Sequence, residues 1–109
     1  MKKKEIKKLD GIFGKLVRSR GRCEWCGGTN YLQTAHIFSR RFQGTRWDVD
    51  NALCLCAGCH RKAHDRPVEF TRFCEDKIGK LKLSEVRARS YRTAKYVFYE
   101  DVILKLEDK

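Results

Sequence analysis

The residues of this 109-residue chain that can do chemistry are six cysteines and three histidines, and their spacing is not random. Two Cys-x-x-Cys pairs stand out, Cys23/Cys26 and Cys56/Cys59. Gly27-Gly28 follows the first pair, and glycine lets the backbone turn tightly beneath a metal ion while two thiolates converge on it at about 2.3 Å. One such pair alone equally fits a redox dithiol, but that needs a βαβ context, which this sequence lacks. The second pair tips the balance. Four thiolates make a closed site with no coordination position left for substrate, the mark of a structural Zn²⁺ ion. The 29 residues between Cys26 and Cys56 exceed the span of a short zinc finger, so a substantial insert lies between the knuckles.

The histidines cluster around the second pair. In the stretch from Asn51 to His64, His60 and His64 stand four residues apart. On a helix they share one face, where both imidazoles can meet one ion. His36 belongs to the insert, near the end of an apolar and β-branched run. A lone histidine on a half-buried strand is more often structural than catalytic, but this one precedes a loop carrying Arg40, Arg41 and Arg46 with Phe42 and Trp47 interleaved. Guanidinium forks hold phosphates with two hydrogen bonds, so the arginines read as phosphate contacts and Trp47 as a lid over the core. Cys54 alternates with Cys56 along a strand, and Cys74 falls on the apolar face of a helix. Both read as small apolar core residues.

The elements that must position these groups are legible from periodicity. Residues 2–20 predict a basic amphipathic helix, with Ile6, Leu9, Ile12 or Phe13, and Leu16 or Val17 on its stripe and lysines off it. Gly11 and Gly14 each cost such a helix about 1 kcal/mol relative to alanine. Residues 31–38 predict a strand, 39–50 a loop, 51–55 a second strand and 57–64 a short helix. Asp65 reads as a cap and Pro67 as a first-turn residue for a helix over 68–78, with Gly79 as its stop. Ser84 reads as the cap of a long final helix reaching Leu106, its broad apolar face carrying Val86, Ala94, Val97, Phe98, Val102, Ile103 and Leu106. Tyr91, Tyr96 and Tyr99 read as packing residues. The class is therefore α+β, a mostly helical small domain spanning 1–109, with a metal-bound core over 22–64, a basic helix before it and helices over 67–106 after it.

Charge narrows the partners. Lys and Arg total 25 against 14 Asp and Glu, for a formal charge of +11. That surplus points to a polyanion, a nucleic acid before an anionic membrane. No apolar run is long enough to span a bilayer, and no continuous apolar segment follows the basic start. The chain is expected to be intracellular (cytoplasmic), where cysteines serve as thiolates rather than disulfides.

Strand with His36, Arg-rich loop, Asn51, knuckle and His60 form an ordered His…Asn…His pattern set between two Cys-x-x-Cys pairs. Over roughly Arg22 to His64 this resembles the HNH endonuclease family. The run Ala35-His-Ile-Phe-Ser-Arg-Arg…Thr-Arg-Trp-Asp…Asn51 looks like its small phage-type and prophage-type members. The resemblance implies a ββα-metal, treble-clef-like finger stapled by Cys23, Cys26, Cys56 and Cys59. It implies a metal-dependent DNA endonuclease, with His36 as general base and His60 as ligand of a catalytic Mg²⁺ or Mn²⁺ ion, joined by His64. Asn51 would tie the loop to the finger and so orient His36. One such finger in one chain implies nicking of one strand of double-stranded DNA per binding event, leaving 5′-phosphate and 3′-hydroxyl ends. A monomer is the favoured state, with a homodimer as the alternative.

One position departs from the family pattern. Many members carry Asp or His immediately before the general base as a metal ligand, and here that residue is Ala35. Three outcomes follow: His60 and His64 suffice with water and phosphate oxygens, Asp48 or Asp50 reaches in, or the site is weak or inactive. The competing function class is a non-catalytic zinc-finger module for DNA or RNA. It accounts for the charge and the thiolates but not for His36, Asn51, His60 and His64 occurring together.

Overall fold

The second strand is apolar on both faces, and the fold covers both. The computed structural model describes residues 1–109. Strands β1 (Leu32–His36) and β2 (Ala52–Cys56) form a two-stranded antiparallel ribbon in which Gln33 faces Leu55, Ala35 faces Leu53 and His36 faces Ala52. Ala52, Cys54, Leu53 and Leu55 are all buried, because alternate residues enter two separate cores. Side chains alternate across a strand, so an unbroken apolar run is the signature of a strand covered on both sides.

On one face lies helix α1 (Lys3–Arg18), whose Leu9, Phe13 and Val17 meet Ala52, Cys54, Trp47 and Leu106. Each large side chain buried here is worth roughly 1.5–3 kcal/mol, which comfortably outweighs the helix cost of Gly11 and Gly14. On the other face lie α3 (Ala57–Asp65) and α4 (Pro67–Ile78), where Ala35, Leu53, Leu55, Ala63, Cys23 and Cys74 form the second core. Trp25 caps this core by stacking on Phe73, ring centroids 4.8 Å apart. Cys54 and Cys74 are both interior, as their apolar neighbours predict.

The loop between the strands is shorter on irregular structure than expected. It contains the one-turn helix α2 (Gln43–Arg46) and a 3-10 turn over Val49–Asn51, capped by the Asp48 carboxylate accepting from the Asp50 amide at 3.0 Å.

The largest correction concerns the C-terminal third. The expected single helix from Ser84 to Leu106 is two helices, α5 (Lys80–Ser90) and α6 (Tyr99–Glu107). A continuous helix of that length would run about 34 Å, nearly the 35 Å longest dimension of the molecule. Broken, the segment folds back: α5 packs on α2 and α6 packs on α1. Helix α6 opens with Glu100 and Asp101 in its first turn, which complements the positive end of the helix dipole. Ser84 is thus inside α5 and caps nothing. Gly79 does end α4, and its φ of +86° is the left-handed region where only glycine is unstrained. Asp65 is the last residue of α3 and not a cap for α4, whose flanking residue is Arg66. Ala94 and Phe98, expected on the buried face, lie in the break and are exposed, as are Tyr91 and Tyr96, so of these tyrosines only Tyr99 packs.

Candidate active site

The four cysteines of the two knuckles converge. Their sulfurs all lie within 4.8 Å of one another, with Cys26 and Cys56 Sγ 3.7 Å apart. Ligands of a tetrahedral ion at 2.3 Å are about 3.8 Å apart, so the donor set suits a metal of zinc's size and softness. Local backbone builds each half. In the first knuckle the Cys23 amide donates to the Gly28 carbonyl at 2.7 Å and the Gly27 amide to the Cys23 carbonyl at 2.9 Å, with Gly27 at φ +81°. In the second, Cys56 ends β2 and flanks α3, and its sulfur accepts from the Cys59 amide at 3.4 Å. Burial raises the Cys23 thiol, but hydrogen bonds from the Cys26, Cys56 and Trp25 backbone outweigh it and pull the thiol down to about 6. Cys59 is pushed the other way, by burial and by its thiol neighbours. A lowered Cys23 thiol favours the thiolate, the form in which cysteine binds a metal.

The three histidines lie elsewhere, along a cleft of about 980 Å³ beside β1. His36, His60 and His64 all line it, with Asp10, Arg18 and Arg40. They arrive from opposite faces of the ribbon. His36 stands on the α1 face, its ring stacked on Phe13 at 5.6 Å. His60 and His64 come from α3 on the other face, ring centroids 5.2 Å apart, as the spacing of four residues requires. The Nε2 of His36 lies 2.8 Å from the Arg46 carbonyl oxygen. A carbonyl only accepts, so Nε2 carries the proton and Nδ1 of the neutral ring keeps its lone pair. Burial lowers the His36 pKa, with Arg40 and Arg46 adding to the effect while the Arg46 carbonyl and Asp10 oppose it. The His60 pKa is also lowered, by burial and then by His64 and His36. Both rings are therefore held toward the neutral form that proton acceptance and metal ligation need.

Asn51 is fully buried behind this cleft. Its Nδ2 donates to the carbonyls of Phe38 and Thr45, each at 3.0 Å, and its Oδ1 accepts from the Phe38 amide at 2.8 Å. One side chain thus joins the end of β1, helix α2 and the start of β2. Sequence reasoning missed a second tie, Asp10. Its carboxylate takes two hydrogen bonds from the Arg46 guanidinium, at 3.0 and 2.7 Å, and one from the Trp47 indole at 2.9 Å. Burial raises the Asp10 pKa, but the bonds from Arg46 and Trp47 outweigh it and the net shift is downward. The available signal was an aspartate on an otherwise lysine-rich helix, one turn before Phe13.

The arginines of the loop separate. Arg40 is exposed and lines the cleft. Arg41 is exposed over the Phe42 ring at 4.8 Å and is not among the cleft residues. Arg46 is committed to Asp10. Ala35 is 2 % exposed and belongs to the second core. Neither Asp48 nor Asp50 reaches the cleft: Arg89 of α5 holds both, at 2.7 and 3.3 Å, and Lys82 pairs with Asp50 at 3.1 Å. No helix is long and apolar enough to cross a membrane.

Residues 18–67, which hold both knuckles and all three histidines, match the family model described as HNH endonuclease. No curated protein and no solved structure matches the chain.

Proposed function

We propose that this chain, whose residues 18–67 match the family model described as HNH endonuclease, is a metal-dependent DNA endonuclease that nicks one strand of double-stranded DNA per binding event. One observation carries the reading: the Arg46 carbonyl fixes His36 with Nδ1 free, in the same cleft as His60 and His64. His36 takes the proton of the attacking water at Nδ1, a task suited to an imidazole held neutral. Asn51 and the Asp10–Arg46 pair hold the loop whose carbonyl orients that ring. His60, with His64, would hold a divalent Mg²⁺ or Mn²⁺ ion. Such an ion supplies charge at the scissile phosphate and at the departing 3′-oxygen. Arg40 and Arg18 at the cleft contact backbone phosphates, and Arg41 does so from its exposed position on the same loop. The lysines of α1 add sequence-independent attraction that falls with salt. Cys23, Cys26, Cys56 and Cys59 bind a structural Zn²⁺ ion.

A second reading, a zinc-bound DNA-binding module without catalysis, is favoured by one observation. Ala35 is buried, Asp48 and Asp50 are held by α5, and Asp10 is committed to Arg46 and Trp47, so the cleft offers imidazoles but no uncommitted carboxylate to an ion that favours oxygen ligands. Supercoiled plasmid with Mg²⁺ or Mn²⁺ separates the two. The nuclease reading expects open circle to accumulate before linear DNA, with 5′-phosphate ends, and no cutting by His36→Ala at unchanged zinc content. Binding without any nicking, or equal nicking by His36→Ala, sinks it.

A further inference from the structure

Gln33 belongs to no motif, yet it makes the shortest hydrogen bond to a histidine of the cleft. It stands on β1 two residues before Ala35 and on the same side of the ribbon, opposite Leu55. From there its Oε1 lies 2.7 Å from His60 Nδ1. An amide oxygen only accepts, so Nδ1 of His60 carries the proton and Nε2 keeps the lone pair. His64, one turn further along α3, is exposed and its ring receives no protein hydrogen bond. Of the two histidines, only His60 is oriented.

We propose that Gln33 is a positioning residue that locks His60 in the Nδ1–H tautomer and so presents Nε2 to a divalent cation in the cleft. This rests on the reading of His60 as a metal ligand. A histidine that ligates a metal through one nitrogen almost always donates its other N–H to an oxygen, which fixes the ring and raises its basicity. Gln33 supplies that oxygen from the ribbon face where Ala35 offers no ligand. The strand thus contributes to the metal through His60 rather than by direct coordination. The same bond also ties β1 to α3, so the test must separate orientation from simple stapling.

Two measurements on the full chain loaded with one equivalent of Zn²⁺ make that separation. Long-range ¹H–¹⁵N NMR of the histidine rings reads the tautomer directly, and Mn²⁺ titration followed by its paramagnetic resonance reads the cleft. Mn²⁺ is a hard ion and competes poorly for the thiolates. Wild type should show His60 as Nδ1–H. Gln33→Leu should lose that preference and weaken Mn²⁺ about 10–100-fold, whereas Gln33→Glu, which still accepts from Nδ1–H, should bind at least as tightly as wild type. Wild-type His60 as Nε2–H overturns the proposal. So does a Gln33→Leu protein that melts earlier but keeps the tautomer and the Mn²⁺ affinity, since that is stapling alone. His60→Ala provides the control on the premise: if it binds Mn²⁺ as wild type does, the cation is not at His60, and the assignment of the site fails before Gln33 is reached.

Discussion

On one face of the β1–β2 ribbon, Thr34, His36, Ala52 and Cys54 lie under α1; on the other, Gln33, Ala35, Leu53 and Leu55 lie toward α3 and α4. The α1 face is held by ordinary packing around Phe13, Leu9 and Trp47 and by the Asp10–Arg46 pair, with no metal-type cluster in it. The α3 face has a smaller core, and the four-cysteine cluster joins its two knuckles across the ribbon end. The proton acceptor proposed for catalysis comes from the first face and the proposed metal ligands from the second. Each side is therefore expected to fail differently. Losing a thiolate should remove the scaffold of the proposed metal ligands, while cutting the Asp10–Arg46 tether on the α1 side should leave both cores packed but misplace the proposed base.

The largest effect should come from breaking the α3 face. Cys56→Ser is expected to abolish stoichiometric zinc and to unfold much of the domain at ambient temperature, because structural zinc contributes about 10–16 kcal/mol in small finger domains. Circular dichroism melts alongside metal analysis would check it, and a fully folded, zinc-free variant would mean that packing alone suffices. Next comes the residue that ties the inter-strand loop to the ribbon. Asn51→Asp removes both donations from Nδ2 and sets a carboxylate against the Phe38 and Thr45 carbonyls. Denaturant unfolding should show a loss of about 3–5 kcal/mol, the range for an uncompensated buried charge.

A smaller loss should follow where α5 docks. A Cβ on Gly44 would run into the Arg89 carbonyl and crowd Arg92. Gly44→Ala is therefore expected to cost about 1–3 kcal/mol as overpacking, read as a lowered melting temperature with zinc retained. The gentlest change sharpens the α1 face. Wild-type activity should rise as pH rises through the His36 pKa, which burial sets below the ordinary 6.5. The rate should thus level off at lower pH than an exposed histidine would give. Asp10 raises that pKa, so Asp10→Asn should move the acid limb to still lower pH. The maximal rate should fall about tenfold as the Arg46 carbonyl loses its tether, a modest case of lost orientation. An unmoved limb would show that Asp10 acts on the fold alone.

Local patterns carried much of this structure. The two Cys-x-x-Cys pairs implied one cluster because few other arrangements place four thiols at those spacings, and the cluster is there. The apolar runs located both strands and the helices α1, α3 and α4 to within a few residues. The C-terminal third was misread because a helical stripe records only which residues want burial. It does not record whether one surface or two will bury them, and α5 and α6 answer to different partners.

What the sequence determined by itself was the inventory: four paired cysteines, an ordered His36, Asn51, His60 and His64, and a formal charge of +11. What only the tertiary structure decided was partnership. Asp10 and Arg46 lie 36 residues apart and Gln33 and His60 27 apart, distances over which no local periodicity carries information. The same holds for Asp48 and Asp50, which a linear reading could offer to a metal but which Arg89 and Lys82 take up on the far side of the loop. A hydrogen bond needs two groups within about 3 Å of each other, and only the folding of α1, α3 and α5 around the ribbon selects which pairs come that close.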